Sequence, residues 1–367
     1  MIFSAMKSEL QSAINIAIRA VPSHTTMNIL ECILIRARGE GLTLTANDME
    51  MGIETHVGAS VTESGIIAVE AKMFSDIIRK LPDDIVTFSS DEDCLIHISC
   101  GKAKFQISGR SGEEFTDIPS VETDLCVTLS QYTLKNVIQN TIFSIASNEN
   151  SKVMTGELFE LSGDILRVVA LDGHRIAIRR VALKETYDRT KVIIPGKTLL
   201  EISRILSGEL EETVSIFIAS NHVVFEMRGT RIVSRLIEGE FFDVDHMISN
   251  DYETRIRINR TELINCVERA SLFVKEGDKK PIILEFGESE LQISIDSPMG
   301  SMDETLDIMK EGKDIVIGFN PRFLLDAVKA ISDEEVVMYL INPKAPCFIK
   351  DDGNQYTYLI LPVNFVR

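Results

Sequence analysis

Apolar residues recur at helical spacing in three places, roughly a third of the chain apart. In KSELQSAINIAIRAV (7–21), Leu10, Ala13, Ile14, Ala17, Ile18 and Val21 share one face. Lys7, Gln11, Asn15 and Arg19 form an i, i+4 stripe on the other side. SQYTLKNVIQNTIFSI (130–145) repeats the pattern, with Leu134, Val137, Ile138, Thr141 and Ile142 inward and Ser130 placed to cap. NRTELINCVERASLFV (259–274) does so again, with Asn259 at the cap and Leu263, Val267, Ala270 and Val274 inward. The spacing predicts a helix over each stretch.

The segments after each helix repeat as well. A strand-like segment comes first: LTLTANDMEMGIE from Leu42, LRVVALDGHRIAIR from Leu166, LQISIDSPMGSMDETL from Leu291. A short extended run then enters a second helix: IIAVEAKMFSDIIRKLP, VIIPGKTLLEISRIL and IVIGFNPRFLLDAVKAI, each with a cation near the helix start (Lys72, Lys197, Arg322). Alternating strands close each repeat, and stretches near 111–125 and 243–255 lack periodicity and read as connections. Units of about 120 residues are domains rather than solenoid repeats. The expected division is 1–120, 121–248 and 249–367, and the expected fold is α+β, two helices packed on antiparallel sheet in each domain.

Composition narrows the class. Hydrophobic residues make up 44% and charged residues 26%, a globular balance. No run approaches the roughly 18 apolar residues of a membrane span, and MIFSAMKSELQSA has no secretory pattern. The six scattered cysteines contain no CxxC and read as reduced thiols, which points to a cytoplasmic protein.

The net charge of −18 argues against coating nucleic acid by bulk attraction. The distribution reads differently. Lys7, Arg19, Lys135, Arg260 and Arg269 lie on the first helices, and Lys72, Arg79, Lys80, Lys197, Arg204, Arg322 and Lys329 on the second. Acids interrupt them but concentrate in turns, at 91–93, 209–212, 333–335 and 351–352. A basic helical surface on an acidic chain is the asymmetry expected where one face meets phosphate.

Three stretches invite a catalytic or metal reading. IIPGKTLLE holds GKT before a helix, but the phosphate-cradling motif needs Gly at 191, where Lys191 stands. In CLIHISC, strand alternation turns His97 away from a face expected to carry Cys94 and Cys100, so no metal set converges. ALDGHRIAIR (170–179) gathers Asp172, His174 and Arg175, which could form a hydrolytic dyad but lacks a nucleophile in a G-x-S-x-G setting. No cofactor or metal is expected.

The threefold repeat, LDGHRIA at 171–177, GEFFDVDHMI at 239–248 and the terminal YLILPVNFVR at 358–367 closely resemble the bacterial DNA polymerase III beta subunit family, the DNA sliding clamps. The resemblance spans the whole chain. It implies a head-to-tail homodimer whose six domains close a ring around double-stranded DNA, helices inside and sheets outside. It implies sequence-independent DNA contact from Arg19, His24, Lys72, Arg79, Lys80, Lys135, Lys197, Arg204, Arg260, Arg322 and Lys329. It also implies a groove for short peptides of the replicative polymerase, the clamp loader and repair proteins. Carried over by position, that groove is Met154, Leu171, Gly173, His174, Arg175, Ile176, Phe242, His246, Met247, Leu359, Leu361, Pro362 and Val363, with His174 and Arg175 free to hydrogen-bond a peptide. The dimer contact would pair Phe105 with Leu272 and Phe273. Phe242 stands where the family often has Pro, Asn364 where it often has a cation, and Val366 and Arg367 are extra; these departures bear on the rim and its peptide preference. Two other readings stay open: a hydrolase centred on Asp172 and His174, and a peptide-binding adaptor that never encircles DNA.

Overall fold

The computed structural model describes residues 1–122, 125–147, 151–275 and 280–365; Val366 and Arg367 lie outside the described residues. The first third runs β1 (Ile2–Met6), α1 (Lys7–Ala17), β2 (Cys32–Arg38), β3 (Gly41–Asn47), β4 (Met51–Gly58), β5 (Ser60–Glu63), β6 (Gly65–Glu70), α2 (Ala71–Lys80), β7 (Ile85–Ser90), β8 (Leu95–Cys100), β9 (Ala103–Ser108) and β10 (Arg110–Ser111). The middle runs β11 (Leu125–Ser130), α3 (Gln131–Gln139), β12 (Gly156–Leu171), β13 (Arg175–Pro195), α4 (Gly196–Ile205), β14 (Thr213–Ile218), β15 (His222–Met227) and β16 (Thr230–Arg235). The last runs β17 (Thr254–Asn259), α5 (Arg260–Ser271), β18 (Ile282–Phe286), β19 (Glu290–Ser297), β20 (Gly300–Gly312), β21 (Ile315–Phe319), α6 (Pro321–Lys329), β22 (Glu335–Leu340), β23 (Cys347–Lys350) and β24 (Tyr356–Ile360).

The helices are shorter than their periodicity. α1 gives way to a 3-10 turn at Ile18–Ala20, and α3 is followed by one at Ile142–Ser144. Tightening of the last turn removes Ile18, Val21, Ile142 and Val274 from the full burial expected of them; all four are half-buried. Cys266, outside the expected face, is fully buried on α5. The Asn259 side chain caps α5 by accepting from the Glu262 N–H at 3.1 Å. Asn320 does the same for α6, which starts with Pro321.

Packing divides the chain into two compact units, Met1–Tyr132 with Arg204–Leu236, and Thr133–Ser203 with Ile237–Arg367. The first holds a five-stranded sheet, β5-β1-β7-β8-β9, and a nine-stranded one, β10-β6-β2-β3-β4-β16-β15-β14-β11. Phe3 stacks on Phe88 at 4.7 Å between ring centroids, and Phe74 meets Phe88 edge-on. The second holds a ten-stranded sheet, β12-β13-β24-β23-β22-β17-β20-β19-β18-β21, over a core that includes Leu263, Val267, Phe286, Phe319 and Tyr358.

One pairing rule recurs. The last strand of the middle third, β16, lies antiparallel to β4, with Thr230 opposite Thr55 and Ser234 opposite Met51. The last strand of the final third, β24, lies antiparallel to the start of β13, with Ile360 opposite Arg175 and Tyr356 opposite Arg179. The last long strand of the first third, β9, is a sheet edge, paired among the described residues only with β8.

Cys94 precedes β8 in a turn with φ +59°, so it shares no strand face with Cys100, contrary to the reading of CLIHISC; His97 points to solvent and Cys100 is buried. Among the described residues no group of three or more His, Cys, Asp or Glu is arranged to hold a metal ion. Among them, too, no helix is long and apolar enough to cross a membrane.

Candidate functional site

The DGHR segment is a hairpin turn between β12 and β13, closed where Leu171 faces Ile176. Asp172 organises it. Its Oδ1 accepts from the His174 N–H at 3.0 Å and the Arg175 N–H at 3.1 Å, bonds that Asp makes readily to backbone just downstream. Gly173 sits at φ +87°, where a side chain is strained although the space beside it is open. The chain leaving β24 passes alongside, its Leu361 N–H donating to the His174 carbonyl at 2.8 Å.

Leu171, Ile176 and Leu359 are buried in one apolar cluster with Leu158, Ile178, Val244 and Phe348, and Met154 and Phe241 pack against it half-buried. Phe241 and Val244 were not among the expected groove residues. Their signal is the alternation in GEFFDVD, which puts Phe241 under the turn and leaves Phe242 43% exposed. Met247 and Leu361 are exposed as well. His246 is exposed and within 3.3 Å of Asp243. Pro362 and Val363 are half-buried, and the Val363 N–H reaches the Gly318 carbonyl at 2.8 Å. A second unanticipated residue, Arg167 on β12, pins this rim: its Nη2 donates to Asp245 Oδ1 at 2.6 Å and its Nη1 to Glu160 at 3.2 Å. That bond holds the Asp245 carboxyl below its usual range.

Arg175 is not the peptide-facing donor it was expected to be. It is 8% exposed. Its Nε donates to Asp172 Oδ2 at 2.9 Å, its Nη1 to Asp326 on α6 at 2.7 Å, and its Nη2 to the Phe143 carbonyl beyond α3. Its guanidinium lies 4.4 Å from the centre of the Phe323 ring. Three of the five donors of its planar fork therefore tie the turn together and bind it to α6 and to the end of α3. His174 is exposed and its ring stacks near Phe323, centroids 6.0 Å apart.

Of the cations expected to meet DNA, His24, Lys72, Arg79, Lys80, Lys197, Arg204, Arg322 and Lys329 are exposed, and Arg19, Lys135 and Arg260 half-buried. Lys72, Lys197 and Arg322 each occupy the second residue of a helix. A cation there opposes the helix dipole at a cost of about 0.3–1 kcal/mol, so helix stability does not explain the repeated placement. Arg260 is partly committed elsewhere, its Nε donating to the carbonyl of Val328 at 3.1 Å at the end of α6. Arg79 pairs with Asp76 at 2.5 Å and Lys329 with Glu268 at 2.6 Å.

Phe105 on β9 is 37% exposed and borders a cleft of about 380 Å³ that it lines with Lys72, Met73, Ile77 and Lys80. In the other unit, Leu272 at the end of α5 is 71% exposed. Phe273 is half-buried against the core, its ring beside Gly300.

Family models of the DNA polymerase III beta subunit match in three consecutive pieces: the N-terminal domain over residues 1–119, the central domain over 128–243 and the C-terminal domain over 246–364. The chain belongs to the DNA polymerase III beta subunit family, the beta sliding clamps. It is 33% identical to the beta sliding clamp of Staphylococcus aureus, over 98% of each chain. The crystal structure of a putative DNA polymerase III beta subunit from Eubacterium rectale superposes with a TM-score of 0.96 at 56% identity, covering 100% of this chain and 99% of that one. The sliding clamp of Bacillus subtilis superposes with a TM-score of 0.95 at 30% identity, with both chains fully covered. The fold expected from the sequence is thus that of the clamps. A hydrolytic dyad finds no support in this family or in the turn itself, where the Asp172 carboxylate is taken up by two backbone N–H groups and Arg175.

Proposed function

We propose that the chain works as a non-catalytic processivity factor: two copies join head to tail, encircle duplex DNA and hold the replicative polymerase and the clamp loader by short peptides. The observation that carries this reading is the unfilled pairing of β9. Two seams of the repeat are joined inside the chain, β16 to β4 and β24 to β13, each to the strand that follows the hairpin turn. The third equivalent strand is β20, whose residues 300–307 pair with β19. β9 of one copy against Gly300–Glu304 of a second satisfies the same rule. It brings Phe105 near Leu272 and Phe273 of the second copy and leaves fewer bare sheet edges. A heterologous contact of this kind, made twice, closes a ring.

In that assembly the three domains, 1–120, 121–248 and 249–367, present their helix cations to the duplex. Phosphate contact without base readout permits sliding. The apolar floor of Leu171, Ile176, Leu359 and Met154, rimmed by Phe242, Met247, Leu361 and His174, suits one or two Leu or Phe anchors of a linear peptide, with specificity from few buried contacts. The adaptor reading is not favoured, because it gives no reason for a cation at the second position of each of α2, α4 and α6. The working place is the cytoplasm.

The test is topological. Clamp loaded onto closed circular DNA by a loader with ATP should stay bound through gel filtration and leave when the circle is cut. Equal loss from circles and linear DNA as salt rises would rule out encirclement.

A further inference from the structure

The core of the middle domain carries three polar side chains where the other two domains do not. Glu157 at the start of β12 is fully buried, and so are Thr141 and Ser144 at the two ends of the turn that follows α3. Aligning the repeats on Asp48, Asp172 and Asp296 puts Glu157 at the place of Ile33 and Ile282. Aligning the first helices on Leu10, Leu134 and Leu263 puts Thr141 at the place of Ala17 and Ala270, and Ser144 at that of Ala20 and Phe273. Ile33, Ala17, Ala20, Ile282 and Ala270 are all buried. The fold therefore requires no polar group at these places, and a carboxylate there is costly unless it takes up a proton.

Leu158 and Ile193, one rung along, belong to the groove's apolar cluster, so Glu157 and the Ile194 opposite it face the helices. Beside the carboxyl is the Thr141 hydroxyl, whose proton is already donated to the Val137 carbonyl at 2.8 Å. That hydroxyl can accept from a carboxylic acid O–H, but it cannot donate to a carboxylate without giving up its bond to α3. Among the described residues Ser144 Oγ has no hydrogen-bond partner. Between the two hydroxyls lies Phe143, whose carbonyl accepts from Arg175 Nη2 and whose ring centre is 5.8 Å from that of Tyr358 on β24. The ionisable groups of the elements around Glu157, Lys135 on α3, Lys152 before β12 and Lys197, Glu201 and Arg204 on α4, are exposed or half-buried. None of them, nor Arg175 on β13, is among the influences on this carboxyl, which are burial first and the Thr141 hydroxyl second.

We propose that Glu157 is a proton switch for the partner groove: neutral, it leaves the 142–144 turn in place and Arg175 held; ionised, it draws the Thr141 and Ser144 hydroxyls to itself, displaces the Phe143 carbonyl and loosens the DGHR turn. One proton leaves Glu157 for solvent, and one hydroxyl bond passes from the Val137 carbonyl to the carboxylate. Peptide affinity falls as pH rises, and bound peptide in return makes Glu157 hold its proton more tightly. This rests on the reading of the second seam as the peptide groove.

Glu157→Gln keeps the shape and a donor for the Thr141 oxygen but cannot ionise. The full-length dimer of each protein is titrated calorimetrically with a synthetic decapeptide carrying adjacent Leu and Phe, between about pH 5.5 and 9. The ratio of the two Kd values cancels the titration of the peptide and of the exposed His174 and His246. That ratio, wild type over variant, should be close to one at the acid end and rise about fivefold or more toward the alkaline end. Infrared difference spectra of wild type against variant should show a protonated-carboxyl band that disappears over the same interval. A flat ratio, or a band that persists while the ratio rises, overturns the switch and leaves the groove standing. If neither protein binds the peptide at any pH, the groove reading itself falls and takes the switch with it.

Discussion

Arg175 and His174 are neighbours with separable tasks. Removing a buried ion-pair partner leaves uncompensated charge and costs about 3–5 kcal/mol. Arg175→Ala strips three acceptors and should therefore lower thermal stability markedly. His174→Ala removes an exposed ring and should change stability by less than about 0.5 kcal/mol. Peptide affinity should fall in both, and calorimetric melting of each variant beside a binding titration separates positioning from contact. Glu157 gives the sharpest pH expectation. It is fully buried on β12, and burial pushes its pKa well up, with the Thr141 hydroxyl nearby offsetting only part of that. The corresponding positions near the start of β2 and β18 hold the apolar Ile33 and Ile282. A raised folded value means the native chain holds a proton that the unfolded chain releases above its ordinary value near about 4.3. Stability should accordingly fall as pH rises from there through the folded value. Glu157→Gln should flatten that slope and raise the melting temperature at neutral pH, with melts between pH 5 and 8 as the check.

At the scale of elements, the cations at the second positions of α2, α4 and α6 oppose their helix dipoles, a conflict that the proposed contact with DNA would resolve. Replacing Lys72, Lys197 and Arg322 together with Ala should leave the melting temperature unchanged or slightly higher, because each opposes its helix dipole. The same variant should show weaker retention on circular DNA, measured after loading. The repeat, the helices and the strand pattern were legible in the sequence because periodicity survives duplication even where identity does not. The proposed groove was legible only through the family resemblance, carried over by position. The task of Arg175 was not. Its partners, Asp326 and the Phe143 carbonyl, are far away in sequence, and charge next to a turn looks the same whether it faces solvent or an interior acid. Arg167 escaped for the same reason, since only the fold brings β12 to the 245–247 turn.

For the whole molecule, charge and closure act together. The chain carries −18, so short linear duplex should bind weakly and lose binding steeply with salt. Retention on closed circles should be nearly insensitive to salt until the dimer parts, and a salt series on both substrates measures the difference. Phe105→Asp or Leu272→Asp should shift the sedimenting species from dimer toward monomer and abolish retention on circles without lowering affinity for an anchoring peptide. The edge position of β9, paired among the described residues only with β8, has one more result. A protomer separated from its twin is a template for stray β-pairing, so any treatment that keeps copies apart should make solutions turbid over time, and quick re-pairing is the protection that a full concentration of twins supplies.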